Sequence, residues 1–219
     1  MTESGKDYLL RRLFLDRYPR ALILDPLGEW PRDRGDWRTY RVQAAGELRP
    51  ALARAVREGS RWRVYAALGG DAGPELARIL VPEVLGVGSA FPLHVGGMAL
   101  YSPELDQLAP TSAPPEVVGL WRRGRHVGLS IFGASQRPHG IGRIVTAMSG
   151  WLVITKTIEP RDLAYLRGFI PAPAHAEVVA LPWRWAVLVD TRGGRWWVLD
   201  DAQKTIRSGR LNGAPTLPG

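Results

Sequence analysis

Short apolar runs alternate with amphipathic stretches along most of this chain, and that alternation restricts its fold more than any other feature. Residues 21–24, 63–68, 98–101, 127–134 and 151–155 read as strands. Between them, Leu48, Leu52, Ala55 and Val56 mark a helix that stops at Gly59, and residues 75–85 form another, ended or kinked by Pro82. Residues 116–123, 141–148 and 161–167 carry further helices, the last with Pro160 near its first position. At the start, Leu9, Leu10, Leu13 and Phe14 recur at helical spacing, so residues 6–17 read as an amphipathic helix ended at Pro19, and residues 31–36 as a polar loop. Strands that alternate with helices imply an α/β domain with a mostly parallel sheet flanked by helices.

The last fifty residues follow a different pattern. Residues 177–181, 185–190 and 195–199 read as strands, with a turn at Thr191-Arg192-Gly193-Gly194, which gives a β-hairpin. The expected organisation is a main domain over residues 1–173, a hairpin appendage packed on it over 174–206, and a flexible tail over 207–219.

The chain of 219 residues has no cysteine, which excludes disulfides and thiolate metal sites. No apolar run reaches the ~18 residues of a membrane span, and no leader pattern is visible, so a soluble cytoplasmic protein without a membrane partner is expected. The net charge of +8 suits a polyanionic partner, nucleic acid first. Lysine occurs only at Lys6, Lys156 and Lys204. The remaining positive charge is arginine, which suits bidentate phosphate contacts, although a GC-rich genome produces the same bias. Among the acidic residues and histidines, no cluster at metal-ligand spacing stands out, so no metal site is assigned.

Ser4, Gly5 and Lys6 stand where a phosphate-binding loop would end, but Asp7 follows where such a loop has Ser or Thr. Further on, the strand over residues 98–102 runs into Pro103-Glu104, and the segment "HVGLSIFGASQRP" reaches Gln136. The stretches "LWRRGRHVGLSIFGASQRPHGIGRIV" (residues 120–145), "ALILDPLGEW" (21–30) and "TIEPRDLAYL" (157–166) resemble the HerA/FtsK superfamily of DNA-pumping P-loop ATPases, which includes viral packaging ATPases. The resemblance covers roughly residues 3–170.

That resemblance implies a RecA-like P-loop NTPase fold that uses ATP and Mg2+. It implies that Lys6 meets the β- and γ-phosphates, cradled by the backbone of residues 3–7 with Ser4, Gly5 and Asp7. Glu104 takes the place of the general base and Gln136 that of the γ-phosphate sensor. Arg125 matches an arginine finger that enters a neighbour's site in a ring, commonly a hexamer. Arg122 and Arg123 are candidate DNA contacts or a solvated helix end.

The sequence departs from the family at the nucleotide site. Asp7 replaces the magnesium-ligating hydroxyl, Pro103 replaces the aspartate before Glu104, and Glu3 adds another negative charge at the cradle. A strand leading into the loop is also expected to be missing. Two functional readings remain. One is a catalytically silent relative acting as a structural, assembly or DNA-binding subunit, as a homo-oligomer or beside an active paralogue. The other is an active ATPase that drives DNA translocation or packaging, in host cytoplasm or virion. The near-continuous apolar stretch 185–189 is expected to line or cover the vacant strand slot beside the main sheet, with Val187 and Val189 buried; the alternative is that residues 21–24 pair directly with 127–134. Trp183, Trp185, Trp196 and Trp197, interleaved with arginines, read either as a stacking platform or as core and subunit-contact residues.

Overall fold

The computed structural model describes residues 9, 15–25, 37–67, 84 and 97–210. The phosphate-loop residues, the expected helix at 75–85, the loop at 31–36 and residues 211–219 lie outside the described residues, as does most of the expected helix at 6–17. The chain divides into two units, one ending at Gln136 and the other beginning at Arg137.

The first unit is built on five parallel strands: β1 (Arg20–Leu24), β2 (Arg38–Val42), β3 (Trp62–Ala66), β4 (Met98–Ser102) and β5 (Leu129–Gly133), in the order β2-β3-β1-β4-β5. Every residue of β1 and β4 is buried. Alternate residues go to opposite faces. Leu22, Leu24, Val64, Trp62, Met98 and Leu100 pack with Leu48, Leu52 and Ala55 of α1 (Leu48–Glu58) and with Leu120 of the helix before β5. Ala21, Ile23, Ala99 and Tyr101 fill the other face beside Tyr18, Tyr65 and Phe132. Apolar runs without polar alternation are what a strand covered on both faces requires. The alternative pairing of residues 21–24 with 127–134 is not formed, because β4 lies between β1 and β5.

The helices of this unit begin and end where the sequence punctuates them. α1 ends at Gly59, whose N–H donates to the Ala55 carbonyl. After the four-residue α2 (Leu105–Leu108), α3 (Pro115–Arg123) starts with proline in its first turn, where the missing N–H costs nothing. A 3-10 turn over Gly124–Val127 then leads to Gly128, whose φ of 73° makes the left-handed step into β5.

The second unit contains α4 (Arg143–Met148), β6 (Trp151–Thr155), α5 (Pro160–Arg167), α6 (Ala172–Ala180), β7 (Ala186–Asp190), β8 (Arg195–Leu199) and β9 (Thr205–Arg210). Its strands form one antiparallel sheet in the order β6-β7-β8-β9. The hairpin of β7 and β8 therefore pairs with β6 rather than with the parallel sheet, and the expected boundary at residue 173 falls inside this unit. The reason is local. Leu152 and Ile154 of β6 face the same core as Val187, Val189, Trp196 and Val198, so the strand needs β7 to close that core. Val187 and Val189 are buried, as expected.

Two further expectations are corrected here. Residues 177–180 are helical rather than extended, because Ala174 and Val178 of the helix and Leu181 at its C-cap form a buried stripe after Pro171 and Pro173. The segment from Arg207 continues as β9, bonded to β8, instead of fraying. The tryptophans divide between faces: Trp196 is core, whereas Trp183 is 80% exposed. Trp197 stacks on Trp151 with ring centroids 6.0 Å apart.

Gly209 lies opposite Trp196 in the β8–β9 register, and a Cβ built there would come within 2.7 Å of the buried indole. The expected result of Gly209→Ala is a loss of about 1–3 kcal/mol from overpacking, read as a lower urea midpoint at unchanged slope. An equivalent exposed change at Gly46, whose Cβ position is open, should be close to neutral.

Candidate functional site at the carboxyl edge of the parallel sheet

Because all five strands of the first unit run the same way, their carboxyl ends share one edge, which is where open α/β sheets bind ligands. Ser102 pairs with Gly133, so Glu104 and Gln136 emerge from neighbouring strand ends. Glu104 precedes α2 at its N-cap position with φ −121°. Gln136 is exposed, just beyond buried Ala134. The fold thus brings together these two sequence-predicted site residues. Ser4, Gly5, Lys6 and Asp7 are outside the described residues.

The backbone around the pair is firmly tied. Ala134 N–H donates to Ser102 O at 2.8 Å, and Leu105 N–H donates to Ala134 O at 2.6 Å. The Ser135 hydroxyl donates to Asp106 Oδ1 at 2.7 Å, joining the β5 exit to α2. Asp106 therefore already has a partner. Gly133 is needed beneath this junction, since a Cβ there would meet the Leu105 side chain at 2.6 Å.

Sequence reasoning missed one residue at this edge. Asp25 follows β1, and Ile23 pairs with Tyr101, so Asp25 and Pro103 leave adjacent strand ends. Its carboxylate is buried, and its N–H donates to Ala66 O at 3.0 Å. The signal was present in "ILDP", where a carboxylate directly ends an apolar run.

Arg122, Arg123 and Arg125 are placed differently. They precede Gly128, whose carbonyl accepts from Met98 N–H at the start of β4. They therefore belong to the amino edge of the sheet, separated from Glu104 and Gln136 by a five-residue strand, about 16 Å long. Arg122 and Arg123 are exposed at the last turn of α3.

The described architecture is a RecA-like P-loop NTPase fold, with a parallel sheet flanked by helices and an added antiparallel sheet. Solved structures of the genome-packaging NTPase B204 share it. B204 of Sulfolobus turreted icosahedral virus 2, in complex with ATP-gammaS, aligns with a TM-score of 0.66 and 18% identity over 94% of this chain and 93% of that chain. The same protein in complex with AMPPCP gives a TM-score of 0.67 at 18% identity and the same coverage. B204 of Sulfolobus turreted icosahedral virus, described as a DNA-packaging ATPase, aligns at 0.66 with 17% identity over 92% of each chain. No family model and no curated protein sequence matches the chain.

Ser135→Ala and Asp106→Ala should each lose about 1 kcal/mol of stability. The double variant should lose clearly less than the sum, since both remove one bond. Strictly additive losses in denaturant melts would show that the bond at the β5 exit contributes nothing.

Proposed function

We propose that this chain is a catalytically silent relative of the DNA-packaging ATPases that serves as a structural, assembly or DNA-binding subunit. The observation that carries this reading is Pro103 directly after β4. At the strand end where the resemblance calls for a magnesium-holding aspartate, the chain has a side chain with no donor atom. Asp7 likewise stands where a hydroxyl is required. Mg2+ needs oxygen donors in near-octahedral order, and charge neutralisation by the metal carries much of phosphoryl transfer. Of the nearby carboxylates, Asp106 is bound to Ser135. These residues do not fit the magnesium set of the family, and no hydrolytic step is assigned to them.

A second reading, an active ATPase driving DNA translocation or packaging, is favoured by a separate observation. Glu104 and Gln136 leave neighbouring strands, and Asp25 offers a buried carboxylate on the next. ATP is the nucleotide that the resemblance implies for such a site. In both, DNA contacts are electrostatic and supplied by exposed arginines such as Arg122 and Arg123. A ring of this chain, hexameric in the family pattern, or an assembly with an active paralogue would give Arg125 its partner site.

Under the silent reading, ATP turnover with Mg2+ and DNA stays at background, and Glu104→Gln changes nothing. Motor-like turnover that disappears in Glu104→Gln would establish the second reading instead. Binding to DNA should be sequence-independent and fall steeply with salt, because released counterions drive it. Reversing both charges with Arg122→Glu and Arg123→Glu should weaken binding to all sequences alike and lower the salt slope by about 2. A gel-shift series across salt concentrations measures both effects.

A further inference from the structure

We propose that His139, Glu159 and Asp162 form a site for a divalent transition-metal ion of the zinc type. Their ligand atoms all lie within 4.8 Å of one another, although 20 residues separate His139 from Glu159. His139 comes from the 3-10 turn Pro138–Gly140, Glu159 caps α5, and Asp162 lies in the first turn of that helix. The site takes no residue from the carboxyl edge of the parallel sheet and is independent of the nucleotide reading.

The two carboxylates are already oriented. Asp162 N–H donates to Glu159 Oε2 at 2.9 Å, and His139 N–H donates to Asp162 Oδ1 at 3.1 Å. His139 Nδ1 lies 2.6 Å from the same Oδ1. Asp162 Oδ2, however, meets the Arg137 guanidinium at 3.6 Å, beyond hydrogen-bond range. Asp162 is 2% exposed, and a buried carboxylate calls for close compensation. Arg137 gives little, since its side chain is 59% exposed and its charge is screened by water. A second carboxylate, Glu159, stands within the same few ångströms. The cluster thus sets two carboxylates beside one imidazole and one exposed guanidinium.

A metal ion would meet one ring nitrogen and two carboxylate oxygens already gathered within 4.8 Å. Zinc-type ions sit about 2.0–2.2 Å from nitrogen and carboxylate oxygen, so neighbouring donors end about 3.0–3.5 Å apart. The His139–Asp162 pair would open by less than about 1 Å, within the reach of small side-chain rotations. His139 then coordinates through Nδ1, with its ring proton carried on Nε2. One imidazole and two carboxylates without a thiolate suit Zn2+, Co2+ or Mn2+ rather than a soft ion such as Cu(I). Three protein donors leave the remaining coordination to water.

The test is calorimetric titration of the full chain with ZnCl2 after chelator treatment. It is repeated with CoCl2 while following the visible absorption of the bound ion. Saturable binding of about one equivalent is expected, with a raised melting temperature. Glu159→Gln keeps an oxygen to cap the Asp162 N–H but removes the charge, and should weaken the ion about tenfold or more. His139→Ala should do the same, whereas His126→Ala, on an exposed turn elsewhere, should bind as the unaltered chain does. If His139→Ala fails to fold, Glu159→Gln alone decides. Absence of saturable binding by the unaltered chain, or unchanged affinity in Glu159→Gln, overturns the proposal.

Discussion

The complete burial of β1 and β4 governs the first unit. A parallel strand covered on both faces tolerates polar groups almost only at its ends. β1 follows this rule: Arg20 opens it, with its guanidinium toward the Gly97 carbonyl at 3.5 Å and its pKa pushed down by burial. Asp25 closes it. Polar chemistry is therefore expelled to the two edges of the sheet, and strand direction decides which residues meet. Asp25, Glu104 and Gln136 collect at the carboxyl edge, while Arg122, Arg123 and Arg125 are confined to the other edge. An arginine from α3 cannot serve the site of its own chain by rotating a side chain across a whole strand.

The sequence was legible where apolar residues run on without interruption. The apolar runs of β1, β3, β4 and β5 located the parallel sheet within a few residues. β2 was not seen, because Arg38, Thr39 and Arg41 are exposed on an edge strand. There the chain carries charge rather than a hydrophobic period, as edges that avoid further pairing do. α6 was misread because Val178 and Val179 look like strand residues, although only Val178 is buried and its partners are Ala174 and Leu181. β9 is hidden in the sequence by Gly209, whose missing side chain makes room for Trp196.

The candidate sites were legible to different degrees for the same reason. Glu104 and Gln136 each follow an apolar run, so a motif marks them in one dimension. His139, Glu159 and Asp162 come together only because the turn after Gln136 meets the first turn of α5, an arrangement that no local spacing announces. Glu159 and Asp162 also resemble ordinary helix-start residues, with one carboxylate capping and one in the first turn. Their use in capping is what holds their oxygens toward His139, so the bland role and the proposed one draw on the same geometry.

Several arginines are held by stacking or pairing partners within the fold. Arg63 is buried, donates to Tyr18 O at 2.9 Å and stacks on the Trp37 ring 3.6 Å from its centroid. Arg61 lies over the same ring at 4.5 Å, and Arg195 lies over Trp197 at 5.4 Å while approaching Asp190. Arg54 is bonded to Glu58 at 2.7 Å, which holds that carboxyl below its usual pKa, and Arg207 pairs with Glu177 at 2.9 Å. Arginine's planar, weakly hydrated head suits these stacked and paired positions better than lysine's ammonium. These arginines are fixed by stacking or pairing, although most of the described arginines remain solvent-exposed. Arg122 and Arg123 are adjacent and exposed at the end of a helix whose dipole favours cations there.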